Sequence, residues 1–146
     1  GVTSGVDQFY SQKGANDGKA IEALETVDQQ IAFINSMNNM DGDAMIKSTL
    51  RDAANLSTMW KDMLTAWRQG NTAGLETLAL SPMQEEFPEM AKVLLEGRNK
   101  AWMKELPKML TDKDVEFVLV GSLHMVGKTG LLAMLAEAGY KVEQLD

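Results

Sequence analysis

The chain has 146 residues, 45% hydrophobic and 24% charged, which is typical of a soluble globular protein with one hydrophobic core. Its net charge of −7 at pH 7 argues against partners that need a basic surface, namely nucleic acid and anionic membranes. The absence of cysteine excludes a disulfide scaffold, a thiol nucleophile and a thiolate metal site.

The beginning of the chain predicts two helices and one strand. A short helix is expected over residues 6–12, and the alternation of apolar and polar residues over 20–24 predicts a short strand. Thr26 then begins a second helix, because Gln29 three residues later completes a capping box with it.

The middle of the chain is predicted to be helical almost throughout. After a turn at residues 38–43, apolar residues recur at three- and four-residue steps over 43–69, which indicates one long helix. Gly70 is its expected carboxy-terminal cap, and a short helix capped by Asn71 follows. Another helix is expected over 89–110.

The last third predicts a β-loop-α-β unit. The apolar run at 115–120 is typical of a strand, and a glycine-bearing loop over 121–130 follows it. A helix over 131–137 ends at Gly139, and residues 140–145 alternate like a strand. The predicted class is therefore α/β, with α+β as the alternative, and it is helix-rich with a small sheet.

One domain covering residues 1–146 is the expected organisation, since no linker or repeat divides the chain. Three strand candidates are few for a sheet covered by helices, which predicts an incomplete half of a larger domain. No apolar run reaches the ~18 residues of a membrane-spanning helix. The chain begins Gly-Val-Thr-Ser without a methionine, so we expect a processed, cleaved or engineered product. An export signal removed from an upstream segment would place it in the periplasm or outside the cell.

The single histidine of the chain, His124, lies in the predicted loop between Gly121 and Gly130. A neutral imidazole in a strand-to-helix loop can bind a divalent metal or act as a base. It can equally be a loop side chain that hydrogen bonds to the backbone. A catalytic zinc takes about three protein ligands, so one histidine is not a metal site by itself. The remaining ligands must be carboxylates or come from other sequence.

The same loop is similar to a phosphate-binding loop in one respect, because Gly127-Lys128-Thr129 follows a predicted strand and precedes a helix. However, Gly121 and Gly127 enclose one residue more than the motif allows. No apolar strand ending in aspartate is present to hold magnesium. Nucleotide binding is therefore not expected.

Two further candidate sites are polar residues that stand next to apolar segments of the sequence. Arg98 and Asn99 stand beside the apolar positions of the predicted 89–110 helix, where Arg98 can clamp a carboxylate with two hydrogen bonds. The alternative is an ordinary solvated helix face. Glu25 follows a predicted strand and precedes a helix, where a carboxylate can be a metal ligand, a general base, or only a favourable charge at a helix N-terminus.

The order of these segments resembles the TraB/PrgY/GumN family, which includes the Tiki-like proteins. The closing segment carries most of the resemblance: a glycine, two residues and His124, then Val-Gly, Gly-Leu-Leu and Gly-Tyr-x-Val. Arg98-Asn99 with Trp102 is similar to the family's Arg-Asn helix, and Leu24-Glu25-Thr26 is similar to its Leu-Glu-Thr segment. Gly97 and the pair before His124, Ser-Leu, depart from the residues usual in the family.

This resemblance implies a metal-dependent hydrolase that acts on peptides. Its site would consist of Glu25, Arg98, Asn99 and two Gly-x-x-His segments, of which this chain holds only the one that ends at His124. His124 and Glu25 are the implied ligands of manganese, cobalt or zinc, each with an alternative role as a base. Arg98 and Asn99 would orient a carboxylate or stabilise an oxyanion. Without the second histidine segment, weak metal binding and no activity are expected of the chain alone.

Two other interpretations use the same residues. In the first, the chain is a non-catalytic module that binds a peptide or a protein partner, in line with the pheromone-shutdown role suggested for TraB and PrgY members. In the second, it is a scaffold whose polar residues only satisfy one another. A homo-oligomer would then cover the apolar face left by the missing half.

Overall fold

The computed structural model describes residues 5–36, 41–111 and 113–145, which are mainly helical. Its α-helices are α1 (Val6–Asn16), α2 (Val27–Ser36), α3 (Gly42–Ala53), α4 (Leu56–Arg68), α5 (Thr72–Leu75), α6 (Ser81–Glu86), α7 (Pro88–Ala91), α8 (Arg98–Trp102), α9 (Leu106–Met109) and α10 (Leu131–Glu137). The same ranges contain a first π turn (Glu76–Leu80), a second π turn (Lys92–Gly97) and a 3-10 turn (Ser122–His124).

The predicted α/β class and its α+β alternative are wrong, because the described residues contain no strand and no sheet. Residues 20–24, 115–120 and 140–145 have the sequence pattern of strands, but none of them is paired as a strand in these ranges. A strand is stable only when its N–H and C=O groups pair with a neighbour. Val115 is 98% exposed and Phe117 is 70% exposed. The predicted β-loop-α-β unit is thus a loop and α10 between two unpaired segments.

The predicted helices of the first third are present. α1 begins at Val6 as expected and continues to Asn16, beyond the predicted end. The capping box before α2 is confirmed: Thr26 N donates to Gln29 Oε1 at 2.7 Å, and Gln29 N donates to Thr26 Oγ1 at 3.2 Å. These bonds give acceptors to amide groups that a helix N-terminus otherwise leaves unpaired.

The predicted single helix over 43–69 is two helices, α3 and α4, because the backbone leaves helical geometry at Asn55, where φ is −114°. Gly70 ends α4 as predicted, with a φ of +60° that favours glycine. Asn71 caps α5 as predicted, since its Oδ1 accepts from the amide of Gly74 at 2.9 Å. Residues 38–40 of the predicted turn at 38–43 lie outside the described residues, whereas Asp41 caps α3 and residues 42 and 43 begin it.

The predicted 89–110 helix is interrupted: it covers the second of two helical rods, which ends at Trp102, and after a turn at 103–105 it covers α9. The first rod consists of α5, the first π turn and α6, and the second rod consists of α7, the second π turn and α8. Phe87, with φ −133° and ψ 61°, separates the rods, and Pro88 starts α7 at a position where a missing N–H is no loss. Each π turn holds one extra residue per hydrogen-bonded turn, a feature common at functional sites.

Two clusters of buried apolar side chains hold these elements together. They consist of Ala66, Leu75, Leu80, Leu95 and Val126 in the first, and of Trp102, Leu106 and Leu131 in the second. Each large apolar side chain buried in this way contributes about 1.5–3 kcal/mol. Met125 packs against both clusters, so the loop that carries His124 is anchored in the core.

The apolar faces of α3 and α4 are largely exposed. Ile46, Leu50, Leu56, Trp60 and Trp67 are 46% to 69% exposed. Exposed large apolar side chains that recur on one face of a helix are typical of an interaction surface. None of the described helices is both long enough and apolar enough to cross a membrane.

Candidate functional site

The structure brings Glu25, Arg98, Asn99 and His124 into one cluster, although they come from three separate segments. Glu25 lies just before α2, Arg98 and Asn99 begin α8, and His124 ends the 3-10 turn. Arg98 contacts both Glu25 and His124, and Asn99 contacts the other side of the imidazole ring. The four residues singled out in the sequence are therefore neighbours in space.

The second π turn places Arg98 and Asn99 at the start of α8. This turn contacts both α2 and the 3-10 turn, so it lies between the segments that carry Glu25 and His124. The carbonyl of Leu94 within the turn accepts a long hydrogen bond from Arg98 Nη1 at 3.4 Å. The π turn thus directs two successive polar side chains of one helix toward the same cluster.

Arg98 and Glu25 form a bidentate ion pair. Arg98 Nε donates to Glu25 Oε1 at 2.7 Å, and Nη2 donates to Oε2 at 2.9 Å. The arginine side chain is 24% exposed and the glutamate side chain is 5% exposed. Because the planar guanidinium matches the carboxylate and water is largely excluded, this pair is stronger than an ordinary surface salt bridge. The carboxylate that Arg98 clamps is therefore that of Glu25.

Asn99 is 1% exposed and uses its entire amide group within the protein. Its Nδ2 donates to the backbone carbonyls of His124 at 3.1 Å and Thr129 at 2.7 Å, and its Oδ1 lies 2.7 Å from His124 Nδ1. These bonds fasten the loop over 124–129 to α8. Both amide hydrogens of Asn99 thus donate to backbone carbonyls, and none is left for another acceptor in this arrangement.

The contacts of Asn99 determine which nitrogen of His124 carries the proton. Nδ2 must be the donating end of the amide, because both of its partners are carbonyl oxygens. The atom that faces His124 Nδ1 is then the amide oxygen, so Nδ1 must be protonated. The lone pair of the neutral ring is on Nε2, which lies 3.3 Å from the donor Nη1 of Arg98. Two independent neighbours thus specify the Nδ1–H tautomer.

The surroundings of His124 keep its ring neutral. Burial, together with the positive charge of Arg98, lowers the pKa of His124 from 6.5 to about 4, and the negative charge of Glu25 opposes this shift. His124 is 6% exposed. A neutral imidazole with a defined lone pair is the form that a metal ligand or a general base requires.

Two aromatic rings complete the cluster. The ring centroids of Trp102 and His124 are 4.4 Å apart, and Arg98 Cζ lies 5.0 Å from the Trp102 ring and 5.7 Å from the Phe33 ring. Cation–π contacts of this kind contribute about 0.5–2 kcal/mol each. Trp102 Nε1 is buried without an acceptor in the described structure, which costs about 1–3 kcal/mol. In the sequence, Trp102 lies in the same predicted helix segment as Arg98, but no contact of Trp102 or Phe33 with the charged group was predicted.

Glycines are required in the second half of the His124 loop. Gly127 has a φ of +78°, and a Cβ there would lie 2.5 Å from Leu80 Cδ2. A Cβ at Gly130 would overlap the backbone carbonyl of Val126. Gly121 differs, because a Cβ at that position would make only an ordinary contact of 3.7 Å with His124 Cδ2. Of the glycines in this loop, Gly127 and Gly130 are therefore required by the backbone, whereas Gly121 is not.

The cluster contains two side chains of the types that bind metals. Within the described ranges, no three His, Cys, Asp or Glu side chains are grouped closely enough to hold a metal ion. Glu25 and His124 both face the guanidinium of Arg98, one from each side. A carboxylate and a neutral imidazole therefore flank one guanidinium group in this cluster.

Comparison with known proteins gives one match. The model of the TraB/PrgY/gumN family matches residues 1–144, a range that includes Glu25, Arg98, Asn99 and His124. No curated protein and no solved structure matches the chain.

Proposed function

The chain belongs to the TraB/PrgY/gumN family, and on this basis we propose that it contributes Glu25 and His124 to the site of a metal-dependent hydrolase that acts on peptides. The observation that supports this proposal most directly is the state of His124. Its ring is neutral, its tautomer is specified by Asn99, and its Nε2 lone pair is directed at the group that also binds Glu25. A ring that only filled space would not need these contacts.

Glu25 and His124 are of the residue types that bind divalent cations, but two ligands are fewer than a catalytic metal site needs. A carboxylate oxygen and a neutral imidazole nitrogen are usual ligands of manganese, cobalt and zinc. A catalytic site generally takes about three protein ligands, and this cluster offers two. We propose that residues 1–146 form a single domain, the carboxy-terminal part of a larger family domain whose other Gly-x-x-His segment supplies a further histidine. The chain alone would then bind metal weakly.

Each residue of the cluster has a defined task in this proposal. Glu25 and His124 Nε2 would hold the metal, which when bound polarises the peptide carbonyl and lowers the pKa of a coordinated water. The alternative role of each group is that of a general base, which it would take instead of holding the metal, because the neutral His124 ring has only one lone pair. Asn99 keeps Nδ1 of His124 protonated and the loop in place. Arg98 supplies hydrogen-bond donors for a carboxylate or for the negative charge that develops on the carbonyl oxygen.

The experiment that tests this function measures Mn²⁺ and Zn²⁺ binding by calorimetry, because weak metal binding without peptide cleavage is what the proposal expects of the chain alone. The wild-type chain is compared with His124→Ala and with the control Asn71→Ala, which changes an exposed cap. Metal binding that is lost in His124→Ala and kept in Asn71→Ala supports the proposal. Binding that is unchanged in His124→Ala contradicts it.

A second candidate function, peptide or partner binding without turnover, is favoured by one observation. A mostly apolar groove of about 250 Å³ lies between α4 and the 3-10 turn, and Trp60 and Trp67 form part of its wall together with Ser122 and Leu123. An exposed aromatic groove beside the His124 loop can accept an apolar side chain of a peptide or a second copy of the chain. Peptide binding that is equally tight with and without metal would favour this function over the hydrolase.

A further inference from the structure

Arg98 is placed between the two groups that would bind a metal. Its Nε and Nη2 pair with the two oxygens of Glu25 at 2.7 Å and 2.9 Å, and its Nη1 lies 3.3 Å from His124 Nε2. One lone pair on each carboxylate oxygen and the only lone pair on the imidazole ring are thus directed at guanidinium hydrogens. The positive charge already present in the cluster is that of Arg98.

A metal ion and Arg98 cannot hold this position at the same time. An ion bound to His124 would use the Nε2 lone pair that now faces Arg98 Nη1. A divalent ion beside the guanidinium would also be strongly repelled, because like charges at a few ångströms interact unfavourably in a partly buried site. Metal entry therefore requires the arginine side chain to leave at least His124.

We infer that Arg98 is an internal cation that competes with a divalent metal for Glu25 and His124, so that metal binding displaces the guanidinium. This inference rests on the proposed function, since it names what controls metal entry into that site. The side chain of Arg98 is 24% exposed, so part of it already reaches solvent. Once displaced, its donors are free to pair with a substrate carboxylate or a developing oxyanion.

Competition and simple positioning predict opposite results when the charge of Arg98 is removed. An arginine that only orients Glu25 as a ligand strengthens metal binding, so its loss weakens the binding. An arginine that competes for the same lone pairs weakens metal binding, so its loss strengthens the binding. The sign of the change in affinity therefore distinguishes the two roles.

The test is a titration of the chain with Zn²⁺ by calorimetry and with Mn²⁺ by NMR, where paramagnetic broadening of the one histidine ring reports binding at His124. Arg98→Gln removes the charge and keeps an N–H donor for Glu25. Arg98→Lys keeps the charge but cannot pair with Glu25 and His124 together. Arg51→Gln is the matched control, because Arg51 forms an exposed pair with Glu86 at 2.9 Å.

We expect Arg98→Gln to bind metal about tenfold to a hundredfold more tightly than the wild type, since the ion no longer has to break charge-assisted hydrogen bonds of that strength. Arg98→Lys should lie between them, and Arg51→Gln should match the wild type. Weaker binding by Arg98→Gln, with wild-type binding still seen at His124, overturns the competition and leaves the proposed function standing. No broadening of His124 in any variant overturns both.

Folding of each variant is checked by its ¹H–¹⁵N spectrum before the titration. Should Arg98→Gln not fold, Arg98→Lys decides the question by the same sign, because a single ammonium group gives up one of the two contacts and leaves either Glu25 or His124 easier for the ion to reach. Tighter metal binding by Arg98→Lys than by the wild type supports the competition. Equal or weaker binding overturns it.

Discussion

Asn99→Asp changes one atom of the side chain and separates the two functions of its amide group. The wild-type Nδ2 donates to the carbonyls of Thr129 at 2.7 Å and His124 at 3.1 Å, whereas a carboxylate offers no hydrogen to either. The oxygen that accepts from His124 Nδ1 is retained. The substitution therefore releases the loop from α8 while it strengthens the contact with the ring.

The size of the effect follows from these three contacts. Each buried carbonyl that loses its donor costs about 1–3 kcal/mol, and both then face a negative charge. The stronger hydrogen bond from Nδ1 to a carboxylate returns about 1 kcal/mol. We expect a net loss of about 3 kcal/mol in the free energy of unfolding, out of the roughly 5–15 kcal/mol of a typical domain. The carboxylate also favours the imidazolium form, so the pKa of His124 should rise above its wild-type value of about 4.

The free energy of unfolding is measured in urea at pH 7, with the slope of the transition compared between variants so that a change in stability is not confused with a change in the denatured state. Asn71→Asp is the matched control. Asn71 acts as a helix cap through its oxygen alone, which accepts from Gly74 N at 2.9 Å, and aspartate caps as well as asparagine. We expect Asn71→Asp to change stability by less than about 0.5 kcal/mol.

The reasoning is refuted if Asn99→Asp and Asn71→Asp destabilise the protein equally. The part of the reasoning that concerns the ring is refuted if the pKa of His124 stays at its wild-type value in Asn99→Asp, because the carboxylate would then not face Nδ1. The two readouts are independent, so a loss of stability without a pKa change would assign only the loop-anchoring role to Asn99.

Three further predictions concern pH, charge and backbone. Because the folded-state pKa of His124 is about 4 and the ordinary value is 6.5, the unfolded chain takes up the proton first as the pH falls. The stabilisation by neutral His124 is complete above pH 6.5 and declines by about 3 kcal/mol toward pH 4. The unfolding free energies of the wild type and His124→Gln should therefore converge over this range, and parallel curves would contradict the burial of a neutral ring. Glu25→Gln leaves Arg98 without its charge partner and should lower the free energy of unfolding in urea by about 2 kcal/mol. The control Glu86→Gln, at the exposed pair with Arg51, should lower it clearly less. Equal losses of stability would mean that the Arg98–Glu25 pair is not shielded from water. Gly130→Ala places a Cβ against the Val126 carbonyl and should lower the free energy of unfolding by about 1–3 kcal/mol. Gly121→Ala should raise the free energy of unfolding by about 0.4–1 kcal/mol. Thermal unfolding then checks whether Gly121→Ala is the more stable of the two variants.

The residues of the cluster could be predicted from the sequence because each is unusual in its place. His124 is the only histidine and lies between glycines, and Arg98-Asn99 interrupts an apolar helix pattern. Their contacts could not be predicted, because they depend on how distant segments pack. The Arg98–Glu25 pair joins residues that are 73 positions apart, and the Asn99–His124 contact spans 25. For the same reason the sequence did not predict that Asn99 donates both of its amide hydrogens to the backbone of the His124 loop.

Local helix signals were reliable where a short-range contact determines the structure. The capping box of Thr26 and the cap at Asn71 are examples, since each involves residues only three positions apart. The strands were wrong because β-propensity describes a side chain that suits a sheet, whereas a strand also needs a paired neighbour. Residues 115–120 have the propensity and remain unpaired in the described structure. The break at Asn55 was missed because the apolar pattern continues through it.

The central claim is that His124 is neutral at pH 7, with the proton on Nδ1 and the lone pair on Nε2. Long-range ¹H–¹⁵N NMR of the ring tests it directly, and the spectrum is simple because the chain has one histidine. The structure predicts a protonated Nδ1, an unprotonated Nε2, and no uptake of a second proton until the pH falls toward about 4. A proton on Nε2, or a ring already charged at pH 7, would contradict the contacts assigned to Asn99 and Arg98 and with them the proposed site.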